Sequence, residues 1–157
     1  MRKDVYVLLN NIRSLHNVGS IFRTADGAGV KKIFLCGQTG YPPREEITKT
    51  AIGAEETVPW EYWIDAKECI KKLCHSDQGG GMNKKSIQLV ALEQTKKSID
   101  YRKFKSKYPI CLVLGHEIDG VEHGILDLCD EAIEIPMHGK KQSLNVSVAF
   151  GIAVYSL

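Results

Sequence analysis

The chain has 157 residues, 43% hydrophobic and 25% charged, with a net charge of +2. That length allows one domain, 1–157, with no room for two ordinary cores, and the balance excludes a polycation or a disordered chain. Charge is uneven all the same. Residues 96–107 hold Lys96, Lys97, Arg102, Lys103, Lys105 and Lys107 against one acid, Asp100, while residues 115–134 hold seven acids and no Lys or Arg. The basic run reads either as a solvated face or as a phosphate-facing patch.

In chain order, Arg2 and Lys3 precede an apolar run of only Val5–Leu9, too short for a secretory signal. Val5–Asn10 reads as a buried strand. In Asn17–Val30, Val18, Ile21, Phe22, Ala25 and Ala28 recur at helical spacing, Asn17 can cap the start and Gly29 can end the helix. Arg23 sits among small and apolar residues on this helix, where it needs an anionic partner. That partner is either an internal acid such as Glu117 or a phosphate or carboxylate ligand. Lys32–Leu35 is a strand, Arg44–Ala51 a helix after Pro42-Pro43, Val58–Trp63 a short extended piece, and Ala66–Cys74 a helix. Ser76–Lys85, with three consecutive glycines, reads as a linker rather than a phosphate cradle.

Ile87–Leu92 and Ile110–Leu114 are strands, Val121–Leu128 a short helix, Ala132–Ile135 a strand stopped by Pro136, and Leu144–Leu157 a terminal helix that Ser143 or Asn145 can cap. That helix is apolar on nearly every face, which calls for a partner subunit or covering chain. It is nonetheless too short to span a bilayer. The alternation of strands and helices predicts an α/β sheet with helices on both faces. Ligands of such sheets bind beyond the carboxyl ends of strands, which singles out Leu92-Glu93, Gly115-His116-Glu117 and Ile135-Pro136-Met137. No dinucleotide or P-loop fingerprint is present. That argues against a flavodoxin-like or dehydrogenase domain. The five cysteines, Cys36, Cys69, Cys74, Cys111 and Cys129, are odd in number with no CxxC pair. Neither a zinc site nor a disulfide frame is predicted, and the chain reads as cytoplasmic and metal-free.

Three stretches, NIRSLHNVGSIFRTADGAGV (11–30), LVLGHEIDGV (112–121) and IPMHGKKQSLNVSVAFGIAVY (135–155), resemble the ordered motifs of the SpoU (TrmH) family of RNA 2′-O-ribose methyltransferases, in the SPOUT superfamily. The resemblance covers almost the whole chain. It implies a Rossmann-like, mostly parallel sheet with a C-terminal deep trefoil knot. The knot would hold S-adenosylmethionine, leaving S-adenosylhomocysteine as product. By that resemblance the cofactor-binding residues are Leu92, Gly115, Ile135, Met137, Ser143 and Leu144. The catalytic set is Asn17, Arg23, Glu117, Ser143 and Asn145. The implied partners are a second copy of the chain and RNA, tRNA ahead of rRNA, with no membrane, no DNA and no accessory RNA-binding domain. Motif two departs from the family pattern, since the glycine that usually follows the Glu is displaced to Gly120. The family assigns the general base to the motif-one Arg. A guanidinium pKa above about 12 makes a phosphate clamp that stabilises the developing alkoxide the better physical role for Arg23. A non-catalytic RNA-binding protein on the same fold is the alternative.

Overall fold

Seven strands, all paired in parallel, build the sheet of the computed structural model, which describes residues 3–75 and 87–157. They are β1 (Val5–Asn10), β2 (Lys32–Cys36), β3 (Trp60–Trp63), β4 (Gln88–Leu92), β5 (Ile99–Asp100), β6 (Ile110–Leu114) and β7 (Glu131–Glu134), in the spatial order β3-β2-β1-β6-β4-β7-β5. Continuous apolar runs suit strands covered on both faces, and β1, β2 and β6 are almost wholly buried. The predicted linker Ser76–Lys85 lies outside the described residues. Strand β5 is the element that the sequence hid, a two-residue strand inside the basic run.

Helices α1 (Leu15–Ala28), α2 (Glu45–Ala51), α3 (Ala54–Thr57) and α6 (Val146–Ser156) belong to one face, and α4 (Ala66–His75) with α5 (His123–Leu126) to the other. Helix α1 starts earlier than expected. Ser14, not Asn17, is its N-cap, accepting from the Asn17 backbone N–H at 3.2 Å. Gly29 ends the helix in the left-handed conformation, φ 70°, with its N–H bonded to Ala25 O. Arg23 is exposed rather than at a buried edge, because Val18, Ile21, Phe22 and Ala25 define the inward stripe and Arg23 falls outside it. Gly19 marks the closest approach of α1 to α2, since a Cβ there would lie 2.0 Å from Thr50 Oγ1 and 2.3 Å from Ile47 O.

Strand β7 lies between β4 and β5, and Leu92 and Ile99 both register with Ile133. Residues 93–98, which join β4 to β5, therefore bridge across β7. The tail leaves the sheet past this bridge and turns back against it, where Gln94 Nε2 donates to Gln142 O at 2.7 Å. The trefoil knot that the resemblance implies would need the tail to pass behind this connection.

Candidate active site

Strands β6, β4 and β7 end side by side, and the loop between β7 and α6 closes over them. A cavity of about 200 Å³ opens there. All six residues predicted to hold a cofactor (Leu92, Gly115, Ile135, Met137, Ser143 and Leu144) line it. Its charge is one-sided. Glu93, Glu117, Asp119 and Glu134 are among the lining residues, which include no lysine or arginine. Such a lining disfavours phosphate and favours a cationic ligand with an apolar, flat portion.

The wall of the cavity is the turn 116–120. His116 and Gly120 exchange backbone hydrogen bonds, N–H of His116 to Gly120 O at 3.0 Å and N–H of Gly120 to His116 O at 2.9 Å. His116 Nδ1 accepts from the N–H groups of Ile118 and Asp119, at 3.2 and 3.1 Å, so its ring closes the turn from within. Gly120 has φ 72°, and a Cβ on it would meet Glu93 Oε2 at 2.0 Å. The displaced motif-two glycine thus serves the turn by admitting the Glu93 carboxylate. That carboxylate accepts from Val121 N at 2.8 Å and Gln94 N at 3.0 Å. Glu93 ties β4's exit to the turn, a role beyond the ligand-facing strand end, Leu92-Glu93, that the sequence points to. Its position one residue beyond a buried strand was the available signal. Gly115 is required for a second close approach, since a Cβ there would lie 2.3 Å from Gly120 O and 2.4 Å from Val121 N.

Glu117 turns towards α1. Its carboxylate accepts from Ser14 N at 3.0 Å, Arg13 N at 3.2 Å and Asn17 Nδ2 at 3.4 Å. Burial works to raise its pKa. The N–H groups of Ser14, Glu117 itself and Arg13, with the Asn17 amide, outweigh burial and hold it below the ordinary value. Asn17 Oδ1 in turn accepts from Asn145 Nδ2 at 3.1 Å. Asn145 caps α6, its Oδ1 accepting from Ser147 N at 2.9 Å and Ser147 Oγ at 2.6 Å. One chain of side chains, Glu117–Asn17–Asn145, thus joins the three motifs. Ser143 lies at the cavity. Arg23 does not join the group. It stands six residues beyond Asn17, about 9 Å along the helix, outside the lining residues and in no ion pair among the described residues.

The basic run 96–107 is not one patch. Lys96 and Lys97 lie on the bridge at the carboxyl end of β4. Lys107 N donates at 2.8 Å to Gln88 Oε1 at the opposite end of that strand. Arg102 is occupied by Asp100, with Nε 3.0 Å from Oδ1.

The model of the SpoU rRNA Methylase family matches residues 4–155. The chain belongs to the SpoU methylase family. Among SpoU relatives it is 33% identical over 156 residues to a tRNA (guanosine(18)-2′-O)-methyltransferase of Aquifex aeolicus, covering 98% of this chain and 68% of the relative. It is 31% identical over 151 residues to the 23S rRNA (guanosine-2′-O-)-methyltransferase RlmB of Pectobacterium atrosepticum, covering 95% and 57%. The fold is similar to that of an AdoMet-bound rRNA methyltransferase from Sinorhizobium meliloti, with TM-score 0.86, 27% identity, and coverage of 99% of this chain and 56% of that one. The chain thus spans little more than half the length of the latter two SpoU proteins.

Proposed function

We propose that this chain transfers a methyl group from S-adenosylmethionine to a ribose 2′-hydroxyl of RNA, tRNA in preference to rRNA, acting as a homodimer in the cytoplasm. The observation that carries the reading is the acid-lined cavity at three strand ends, set against the Glu117–Asn17–Asn145 chain. S-adenosylmethionine supplies a sulfonium-activated methyl group and carries positive charge. Glu93, Glu117, Asp119 and Glu134 favour that charge, and Leu92, Ile135, Met137 and Leu144 offer apolar contact to an adenine ring. Gly115 keeps the floor open for the backbone to approach the ligand.

The protein's task is then orientation. Placing a hydroxyl in line with a methyl group supplies several kcal/mol of rate enhancement on the order of what well-oriented intramolecular reactions show. Glu117, held below the usual carboxylate range, is a poor proton acceptor and a good anchor. It fixes Asn17 and, through it, Asn145, next to the cavity that Ser143 lines and where the nucleotide would be presented. Arg23, exposed and free of internal ion pairs among the described residues, grips the phosphate beside the target ribose and stabilises the developing alkoxide. As the O–CH₃ bond forms and the S–CH₃ bond breaks to leave S-adenosylhomocysteine, the hydroxyl proton passes to solvent. Val148, Ile152 and Tyr155, at 51%, 36% and 66% exposure, leave an apolar stripe on α6 that supports a twofold partner.

The test is direct. Calorimetry measures S-adenosylmethionine binding, and transfer of labelled methyl to tRNA and to rRNA is followed by mass spectrometry of the nucleosides. A 2′-O-methyl product on tRNA is expected. Binding of the cofactor without any methylated RNA would favour the non-catalytic RNA-binding alternative, and no binding would overturn the reading altogether.

A further inference from the structure

Across the 116–120 turn from the candidate cofactor site lies a second cavity of about 460 Å³, with His116, Asp119 and Gly120 common to both. Asn11, Arg13, Gln38, Val121, Glu122 and His123 complete its lining. Gln38 N donates to Asn11 Oδ1 at 2.9 Å, which fixes the loop following β2 against the end of β1. The same loop holds Gly37, whose carbonyl accepts from Tyr62 Oη at 2.6 Å. It also holds Gly40, where a Cβ would lie 2.2 Å from Leu15 Cδ2 at the start of α1. The loop also carries Tyr41, whose ring sits 4.6 Å from that of Tyr62 and 6.1 Å from that of Trp60, centroid to centroid. Tyr41 is 46% exposed although packed by two rings. Arg13 and Arg44 flank this surface, exposed and in no ion pair among the described residues.

We infer that Tyr41, backed by Trp60 and Tyr62, is a stacking platform for an unpaired base of the RNA substrate, reached through the second cavity past Arg13 and Gln38. The inference rests on the proposed RNA methylation and extends it to how the strand is held. Three features favour RNA over other occupants. An aromatic face offers sequence-tolerant stacking to any base. Uncommitted guanidinium groups beside it suit the phosphates of the same strand. The surface is also continuous with the reaction site. Strand β3 is three strands from β6, about 14 Å at normal sheet spacing, a span that a short run of extended nucleotides covers. Double-stranded RNA could not use the platform, because its bases are stacked on one another.

The test is fluorescence anisotropy with a short fluorescein-labelled single-stranded oligouridylate, and the same length of RNA duplex as comparison. The variant Tyr41→Ala is expected to weaken single-strand binding about tenfold, within the range for losing one base–aromatic stack. Tyr41→Phe and Tyr41→Trp are expected to keep wild-type affinity. Duplex affinity and the dissociation constant of S-adenosylmethionine should be the same in Tyr41→Ala and wild type, which separates loss of the platform from loss of the fold. Unchanged single-strand affinity in Tyr41→Ala overturns the inference, as does wild-type protein that does not bind the single strand. Cofactor binding and methylation of full-length RNA, measured separately, judge the reading on which it rests.

Discussion

Glu117→Gln tests the junction of the site most sharply. The carboxylate receives three donors, two from the backbone of residues 13 and 14 and one from Asn17. A carboxamide has one acceptor oxygen, and its NH₂ would face an N–H that it cannot satisfy. Its oxygen can keep Ser14 N and Asn17 Nδ2, which share Oε1, so the donor lost is the exposed Arg13 N–H, at about 0.5–1.5 kcal/mol. For a chain of this length that lowers Tm by about 2–4 °C per kcal/mol. The pH dependence carries the signature. The folded-state pKa of Glu117 is lowered. Its stabilising contribution is therefore complete above the unfolded value near 4.3 and is lost as pH falls through the folded value. Urea unfolding at pH 7 should show the wild type more stable than the variant, with the gap closing under acid. Methyl transfer should fall with the loss of Asn17's anchor. Equal stability at pH 7, or a gap that persists at the acid end, would refute the reasoning.

Gly115→Ala should be worse than its size suggests. Its new methyl meets backbone atoms of Gly120 and Val121, so the turn must move. An overpacking cost of about 1–3 kcal/mol is expected in denaturant unfolding, together with a loss of S-adenosylmethionine affinity in calorimetry. Asn145→Ala removes the cap of α6 and the link to Asn17. It should cost about 1 kcal/mol of stability and, unlike an ordinary cap mutation, lower methyl transfer as well. Thiol titration of the native protein should count one accessible cysteine of five, reacting more slowly than a free thiol because burial and Asp130 raise the Cys74 pKa. Cys74 is exposed, whereas Cys36, Cys69 and Cys111 are buried. Burial and the nearby Asp130 push Cys129 up to about 12. All five should react once the protein is unfolded.

Much of this architecture is legible in the residues. Buried parallel strands write themselves as unbroken apolar runs, and β1 and β6 lie where VYVLLN and ICLVL stand. The three strand ends singled out by position do meet at one cavity. What stayed hidden depends on contacts between distant segments. Two residues of β5 carry no periodicity, and they form a strand only because β7 is inserted beside them. The capping role went to Ser14 rather than Asn17 because Asn17's side chain is committed to Glu117 and Asn145, 100 and 128 residues away. Arg23 looked buried from its apolar neighbours in sequence. A helix with 3.6 residues per turn sends adjacent residues to different faces. Glu93 has a role only once the turn around Gly120 has closed upon it.

The bridge of residues 93–98 has a consequence for biosynthesis. Those residues leave the ribosome well before the final helix exists, so the arch can form first and the slim tail can slip past it afterwards. Where the tail is threaded as the family resemblance implies, a folded, bulky protein fused after Leu157 would have to be drawn past the bridge behind it. Fusions at that end should therefore reach the native state more slowly than the same cargo placed before Met1.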